Sequence, residues 1–347
     1  MMEYKKLGNT DIDVSLICLG TMTWGEQNTQ EEGFDQMDLA LSKGVNFFDT
    51  AELYSVPPRK ETWGETEKII GNWLETRKCR DKVVIATKVV GRSGMKWFRH
   101  KETRLTKEQI NEAIHGSLKR LKTDYIDLYQ LHWPDRKSNF FGKLGFQNEK
   151  EEDFIDLKDQ LETLSENVKT GNIRYIGLSN ETPWGLMKFL SIAEKFDLPK
   201  VVSVQNPYSL LNRSYEVGMA EISIREKCGL LAYSPLAFGM LTGKYDNGEK
   251  PAGARLTMYA DMYTRYTKPK GIEYSRKFND LARESGMKPA ELALGFVNSR
   301  DFLTSNIIGA TNVKQLEENI NSFKIKLSDD ILSEIEKIHD QNPYPCP

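Results

Sequence analysis

A chain of 347 residues with 39% hydrophobic content is long enough for a large core, and α/β barrels of this size commonly form one domain. Lys and Arg number 48 against 50 Asp and Glu, a net charge of −2, which excludes the broad basic face of a general nucleic-acid binder. Residues 1–15 show no secretory signal, no apolar run reaches the ~18 residues of a membrane span, and Cys18, Cys79, Cys228 and Cys346 form no CxxC pair, so a reducing, cytoplasmic setting with no membrane partner is expected.

In chain order, residues 4–14 read as a small hairpin turning at Gly8-Asn9, placed to plug a barrel floor. Strands are predicted at 16–19, 46–49, 83–88, 125–131, 173–179, 202–205, 230–234 and 306–309. Helical patterns fall between them at 29–43, 64–76, 106–121, 153–169, 184–196, 215–227 and 275–298, with a last pair at 313–320 and 328–339. Thr106 to Gln109 and Ser328 to Ile331 resemble helix-starting boxes. The strand sequences VVIAT, YIDLYQL and VVSVQ are apolar on both faces, as a buried parallel sheet requires. Alternation with helices points to βαβ units, which an open doubly wound sheet would also satisfy. Eight strands and no break in composition favour a closed (β/α)8 TIM barrel over 1–347, with long loops at the C-terminal face at 55–63, 91–105, 133–152 and 246–273. Those loops carry Trp97, Phe98, Trp133, Phe140, Phe141, Phe146, Tyr259 and Tyr263, an aromatic content unusual for solvated linkers.

Common catalytic motifs are missing. There is no GxGxxG and no GxSxG, the glycines at 239 and 243 fall short of a P-loop, and the four histidines form no HxxxH, so no metal site is expected. Asn180 and Asn212 open glycosylation sequons that are idle matches in a cytoplasmic protein. What remains is a set of ionisable residues at the ends of successive strands: Asp49 closing FFDT, Tyr54 five residues on, Lys88 closing VVIATK and His132 closing YIDLYQLH. Each alone reads more often as a cap or a core residue. On one rim they suit proton delivery to a carbonyl oxygen. Lys88 would lower the phenol pKa of Tyr54, Asp49 would keep Lys88 charged, and His132 would orient the carbonyl. No nucleophile or metal is needed if a nicotinamide supplies hydride. A Schiff base on Lys88, as in aldolases, is the competing barrel chemistry.

The segments 44–54, 87–89 and 127–134, then 173–180, 205–208, 232–245 and 308–319, resemble the aldo-keto reductases in order along the whole chain. Residues 21–28, 54–59 and 206–214 bring the resemblance nearest to the bacterial Tas-like branch, with potassium-channel β-subunits more distant. The resemblance implies NADPH-dependent reduction of a small-molecule carbonyl compound, with Asp49, Tyr54, Lys88 and His132 as the catalytic set and Tyr54 as general acid. It places Ser179, Asn180 and Gln205 on the nicotinamide carboxamide and Tyr233 under its ring. Ser234, Pro235, Leu236, Phe238, Gly239, Leu241, Gly243 and Lys244 are expected along the pyrophosphate, and Gly309, Thr311, Gln315, Glu318 and Asn319 around the adenosine. Thr21 joins the cofactor contacts, and Trp24 and Trp133 are expected in the substrate pocket. Arg255 is the first candidate for the 2′-phosphate of NADPH, with Lys314 and Arg265 as alternatives. An NADPH-holding regulatory module with slow turnover is the other function of this fold.

Overall fold

The computed structural model describes residues 1–148 and 153–347. It opens with an antiparallel hairpin, β1 (Tyr4–Lys6) and β2 (Asp13–Ser15). Gly8 permits the turn: its φ is +60°, and a Cβ there would stand 2.4 Å from the Val202 carbonyl oxygen. Leu7, Ile12 and Val14 pack against Cys18, Phe47, Val84, Leu128, Val202, Leu231 and Ile307 in one buried cluster. The hairpin is therefore an apolar plug under the barrel, as expected from its turn at Gly8-Asn9 ahead of the first strand.

Eight strands close the barrel: β3 (Ile17–Gly20), β4 (Phe47–Asp49), β5 (Val84–Val89), β6 (Ile126–Leu131), β7 (Ile173–Ser179), β8 (Val201–Pro207), β9 (Gly229–Tyr233) and β10 (Leu303–Ile308). All neighbours are parallel, and β10 returns to pair with β3. Side chains alternate along each strand. Phe48, Ile85, Tyr129 and Leu131 join the outer core beneath the helices, while Phe47, Val84 and Leu128 fill the axis. The register sets Gly20 opposite Asp49, Lys88 opposite Gln130, and Ser179 opposite Gln205. The polar strand ends thus meet in one layer at the C-terminal rim.

The helices are α1 (Gln30–Ser42), α2 (Glu65–Arg77), α3 (Lys107–Leu121), α4 (Leu157–Lys169), α5 (Pro183–Phe196), α6 (Tyr215–Arg225), the single turn α7 (Arg255–Met258), α8 (Pro269–Glu284), α9 (Pro289–Asn298), α10 (Val313–Ile320) and α11 (Asp329–Gln341). The expected helix at 275–298 is two: Gly286 leaves α8 with φ +70°, and Pro289 starts α9 at a position where its missing N–H costs nothing. Thr106 caps α3 by accepting from Gln109 N, but the Gln109 side chain accepts from Arg104 N instead of closing a box. Ser328 caps α11 in the same one-sided way. The complete capping box belongs to α1, where Thr29 and Glu32 satisfy each other's backbone. The long loop at 246–273 is partly helical, holding α7 and the start of α8; the end of the loop at 133–152 lies outside the described residues.

Among the described residues no helix is long and apolar enough to cross a membrane, and no group of three His, Cys, Asp or Glu is placed to hold a metal. The four cysteines are free and buried.

Candidate active site

Asp49 ends β4, Lys88 sits near the end of β5, His132 follows β6, and Tyr54 lies on the turn after Asp49. Barrel closure brings all four to one rim. Lys88 is fully buried, and its Nζ donates to Asp49 Oδ2 at 2.8 Å, to the Thr50 carbonyl at 2.7 Å and to Tyr54 Oη at 3.5 Å. The other Asp49 oxygen accepts from Gln205 Nε2 at 2.7 Å and Gln130 Nε2 at 3.3 Å. The rings of Tyr54 and His132 meet edge to face with centroids 5.8 Å apart.

The electrostatics follow from burial and from this single cation. Burial is the largest single influence on Lys88 and opposes its charge, but Asp49 and Tyr54 together outweigh it and the ammonium is held above its ordinary 10.5. Burial pushes the Tyr54 phenol above its ordinary 10.0, and the opposing pull of Lys88 is the smaller effect. Lys88 does pull the phenol down, as expected, but burial outweighs that pull and leaves Tyr54 protonated. His132 is driven well below 6.5 by burial and then by the Lys88 charge, so its imidazole is neutral, and its Nδ1 is buried without a hydrogen-bond partner.

Above this layer opens a cavity of about 1200 Å³. Tyr54, His132, Trp133 and Phe141 line the end nearest the chemistry, and Met258, Met262 and Tyr263 line the same cavity. Thr21, Ser179, Asn180, Gln205, Tyr233, Ser234, Pro235, Leu236, Phe238, Gly239, Lys244 and Arg255 continue the wall, and Gly309, Thr311, Gln315, Glu318 and Asn319 line it farther along. Several of these are tied to one another. Tyr233 Oη donates to Asn180 Oδ1 at 2.6 Å, Asn180 Nδ2 to the His132 carbonyl at 2.9 Å, and Thr21 Oγ1 to the Asp49 carbonyl at 2.8 Å.

Four expected residues are not where they were sought. Trp24 is completely buried, with its indole against Gly33 and its Nε1 donating to Gln36 Oε1 at 3.3 Å; it is a core residue and not part of the pocket. Leu241 is likewise wholly buried, and neither it nor Gly243 lines the cavity. Lys314 projects from the exposed face of α10, outside the cavity. Arg255 lines the cavity among Tyr263, Tyr245, Tyr54 and Tyr259, its guanidinium 5.5 Å from the Phe238 ring centre, and burial lowers its pKa. It also depresses Lys244, which burial already lowers. Its segment is held at Gly253 and Met258 by Gln27, next to Asn28, which donates to the Thr311 carbonyl at 2.9 Å. The cation at the Glu318 end is Lys288, paired to Glu318 at 3.2 Å.

Two structural supports went unread in the sequence. Gln130 stands two residues before His132, so the strand period that turns His132 inward turns Gln130 inward as well. Glu52 is 2% exposed and accepts from Val90 N and Arg99 Nη2, both at 2.7 Å. It pins the turn carrying Tyr54 to the loop at 91–105. Its own position between Asp49 and Tyr54 was the available signal.

A model of the "Aldo/keto reductase family" matches residues 16–340. The chain is 49% identical over 348 residues to "Protein tas" of Escherichia coli (strain K12), covering 100% of both chains. It is 36% identical over 345 residues to the "Uncharacterized oxidoreductase YrpG" of Bacillus subtilis (strain 168), covering 95% of this chain and 94% of that one. An "Aldo-keto reductase" of Babesia bovis is 38% identical over 273 residues, 74% of this chain and 96% of its own length.

Proposed function

The chain belongs to the aldo/keto reductase family, and from that premise we propose that it reduces an aldehyde or ketone to an alcohol with NADPH, Tyr54 giving the proton, within one barrel domain spanning 1–347. The observation that carries this reading is Lys88 Nζ bridging Asp49 and Tyr54 at the floor of an open cavity.

The cavity suits a nicotinamide dinucleotide on its own chemistry. Ser234, Ala237, Phe238, Gly239 and Gly243 all have positive φ, a backbone habit that builds anion-binding concavities. Lys244 and Arg255 line the same stretch and have no carboxylate partner among the described residues. They would face the pyrophosphate, Tyr233 would lie under the nicotinamide, and Lys288 in place of Arg255 would meet the 2′-phosphate. Gln205 commits its Nε2 to Asp49, which leaves its Oε1 for the carboxamide.

A nicotinamide held by these residues would supply the hydride for the carbonyl carbon. Tyr54 Oη passes its proton to the carbonyl oxygen, and the Lys88 ammonium stabilises the phenolate left behind. Neutral His132 donates from Nε2, because a proton on its buried Nδ1 would find no acceptor. Asp49 holds Lys88 charged in a dry site, and Gln130 and Gln205 hold Asp49.

The test is fluorescence titration with NADPH and NADH, followed by NADPH oxidation over a panel of aldehydes, ketones and quinones. Tight NADPH binding with multiple turnovers of an aldehyde is expected. Binding without turnover across the panel would leave a regulatory module, and borohydride trapping of substrate on Lys88 would replace hydride transfer by Schiff-base chemistry.

A further inference from the structure

Among the described residues that line the cavity, none comes from the loop at 91–105, yet this loop grips both segments that carry the proposed chemistry. At its start, a Cβ on Gly91 would stand 2.2 Å from the Trp133 carbonyl oxygen, and the Trp133 indole donates to the Arg92 carbonyl at 2.9 Å. At its end, Arg104 Nη2 and Leu105 N donate to Asp135 at 2.8 and 2.9 Å. These contacts hold the segment that follows His132. Arg99, in the middle of the loop, reaches the other side: its Nη2 donates to both carboxylate oxygens of Glu52 at 2.7 Å. Glu52 in turn clasps the exit of β5. Its N donates to the Lys88 carbonyl at 3.2 Å, and its Oε1 accepts from Val90 N at 2.7 Å. Tyr54 lies two residues beyond Glu52, and Lys88 is the residue whose Nζ meets Tyr54 Oη.

Stability alone does not account for the Arg99–Glu52 pair. The two side chains are 3% and 2% exposed, and Arg99 Nε and Nη1 are buried without a hydrogen bond among the described residues. Burying two charges forfeits hydration, and their attraction offsets that loss only when the remaining N–H groups are satisfied. An uncharged pair of similar size would therefore serve the fold as well. What it would not reproduce is direction, because charge-assisted hydrogen bonds hold the carboxylate in one place. Resting on the carbonyl-reductase reading, we propose that Arg99 is a positioning residue for the proton donor: through Glu52 it fixes the turn carrying Tyr54 against the strand carrying Lys88, and its loop fixes that turn against the segment after His132. Without Arg99 the cavity wall is complete, but Tyr54 Oη is free to leave the line between Lys88 Nζ and the carbonyl oxygen. A misplacement of about 1 Å at the reacting atoms costs about 100-fold in rate.

Arg99→Met by itself strands the Glu52 charge, so the experiment uses Glu52→Gln with Arg99→Met, which buries no charge and leaves an amide oxygen for Val90 N. Its melting temperature should stay near or above that of wild type. Its kcat for benzaldehyde should fall by about 10- to 100-fold, while KM and the NADPH affinity titrated by fluorescence stay within about threefold. In a Tyr54→Phe background the same pair of substitutions should cost nothing further in single-turnover NADPH oxidation, because the group they position is gone. A kcat within about threefold of wild type, a loss that follows melting temperature or NADPH affinity, or a loss that multiplies with that of Tyr54→Phe overturns the inference. These outcomes all presuppose a wild-type enzyme that turns over. No turnover of benzaldehyde or of the wider aldehyde panel by wild type overturns the reductase reading beneath it.

Discussion

Removing the charge of Lys88 should slow aldehyde reduction steeply, and the structure sets the size of the effect. Lys88 Nζ lies 3.5 Å from Tyr54 Oη. At an effective dielectric of about 20 an ammonium and a phenolate at that distance attract by about 5 kcal/mol. If half of the phenolate charge has developed in the transition state, losing the cation costs about 50-fold in rate; if all of it has, about 3,000-fold. The single variant Lys88→Met leaves Asp49 buried without its cation, a change that destabilises folded proteins by about 3–5 kcal/mol. The informative variant is therefore Asp49→Asn with Lys88→Met, which buries no net charge. Its kcat/KM for benzaldehyde would be measured with NADPH and with the 4-deuterated cofactor, so that an isotope effect shows hydride transfer to be rate-limiting. A folded double variant that binds NADPH and reduces benzaldehyde within about threefold of wild type, with chemistry limiting, would refute the assignment of Lys88 as the group that stabilises the phenolate.

Tyr54→Phe should keep NADPH affinity and lose about 10²–10⁴-fold in aldehyde reduction; wild-type rates with chemistry limiting would pass the proton-donor role to His132. Since burial holds Tyr54 above 10.0, its proton is present through neutral pH and is lost only as pH rises through that raised value. Reduction should thus be flat across neutral pH and fall in alkali, while alcohol oxidation, which needs the phenolate, should rise there. His132 is already neutral, so a pH–rate inflection near its ordinary 6.5 would contradict the assignment. Gln130→Leu deletes one of two amide donors to Asp49 Oδ1 and should lower stability by about 1–3 kcal/mol in urea denaturation; an unchanged midpoint would show Gln205 to be sufficient. Arg255→Ala should weaken NADPH and NADH alike and Lys288→Ala chiefly NADPH; the reverse pattern would return Arg255 to the 2′-phosphate.

The barrel was legible because its strands repeat one physical pattern. Runs such as VVIAT and YIDLYQL are apolar on both faces, and such runs bury themselves only in a parallel sheet covered by helices. The clustering of the residues proposed as catalytic was legible for a related reason: an ionisable residue at the end of a buried strand reaches the rim wherever the strand ends, and Asp49, Lys88 and His132 do so on three neighbours in sequence and space. Gln130 and Glu52 obeyed the same periodicity and proximity but are amide and carboxylate groups with many structural uses, so only their partners, Asp49 and Arg99, gave them a role. Where a side chain ends up in depth was a tertiary matter. Trp24 sits in a loop segment whose sequence suits a pocket, yet Gly33 on α1 leaves a hollow that its indole fills. The Tyr54 acidity turned on a competition between burial and one cation, and burial is a property of the surrounding fold. Arg255, Arg265 and Lys288 are equivalent as basic residues in loops and at helix starts. Only closure of the barrel, which folds the 246–273 segment over the rim, sets Arg255 at the Phe238 and Tyr263 rings and Arg265 beside Tyr233 and leaves Lys288 with Glu318, because charge has no address until the chain around it is packed.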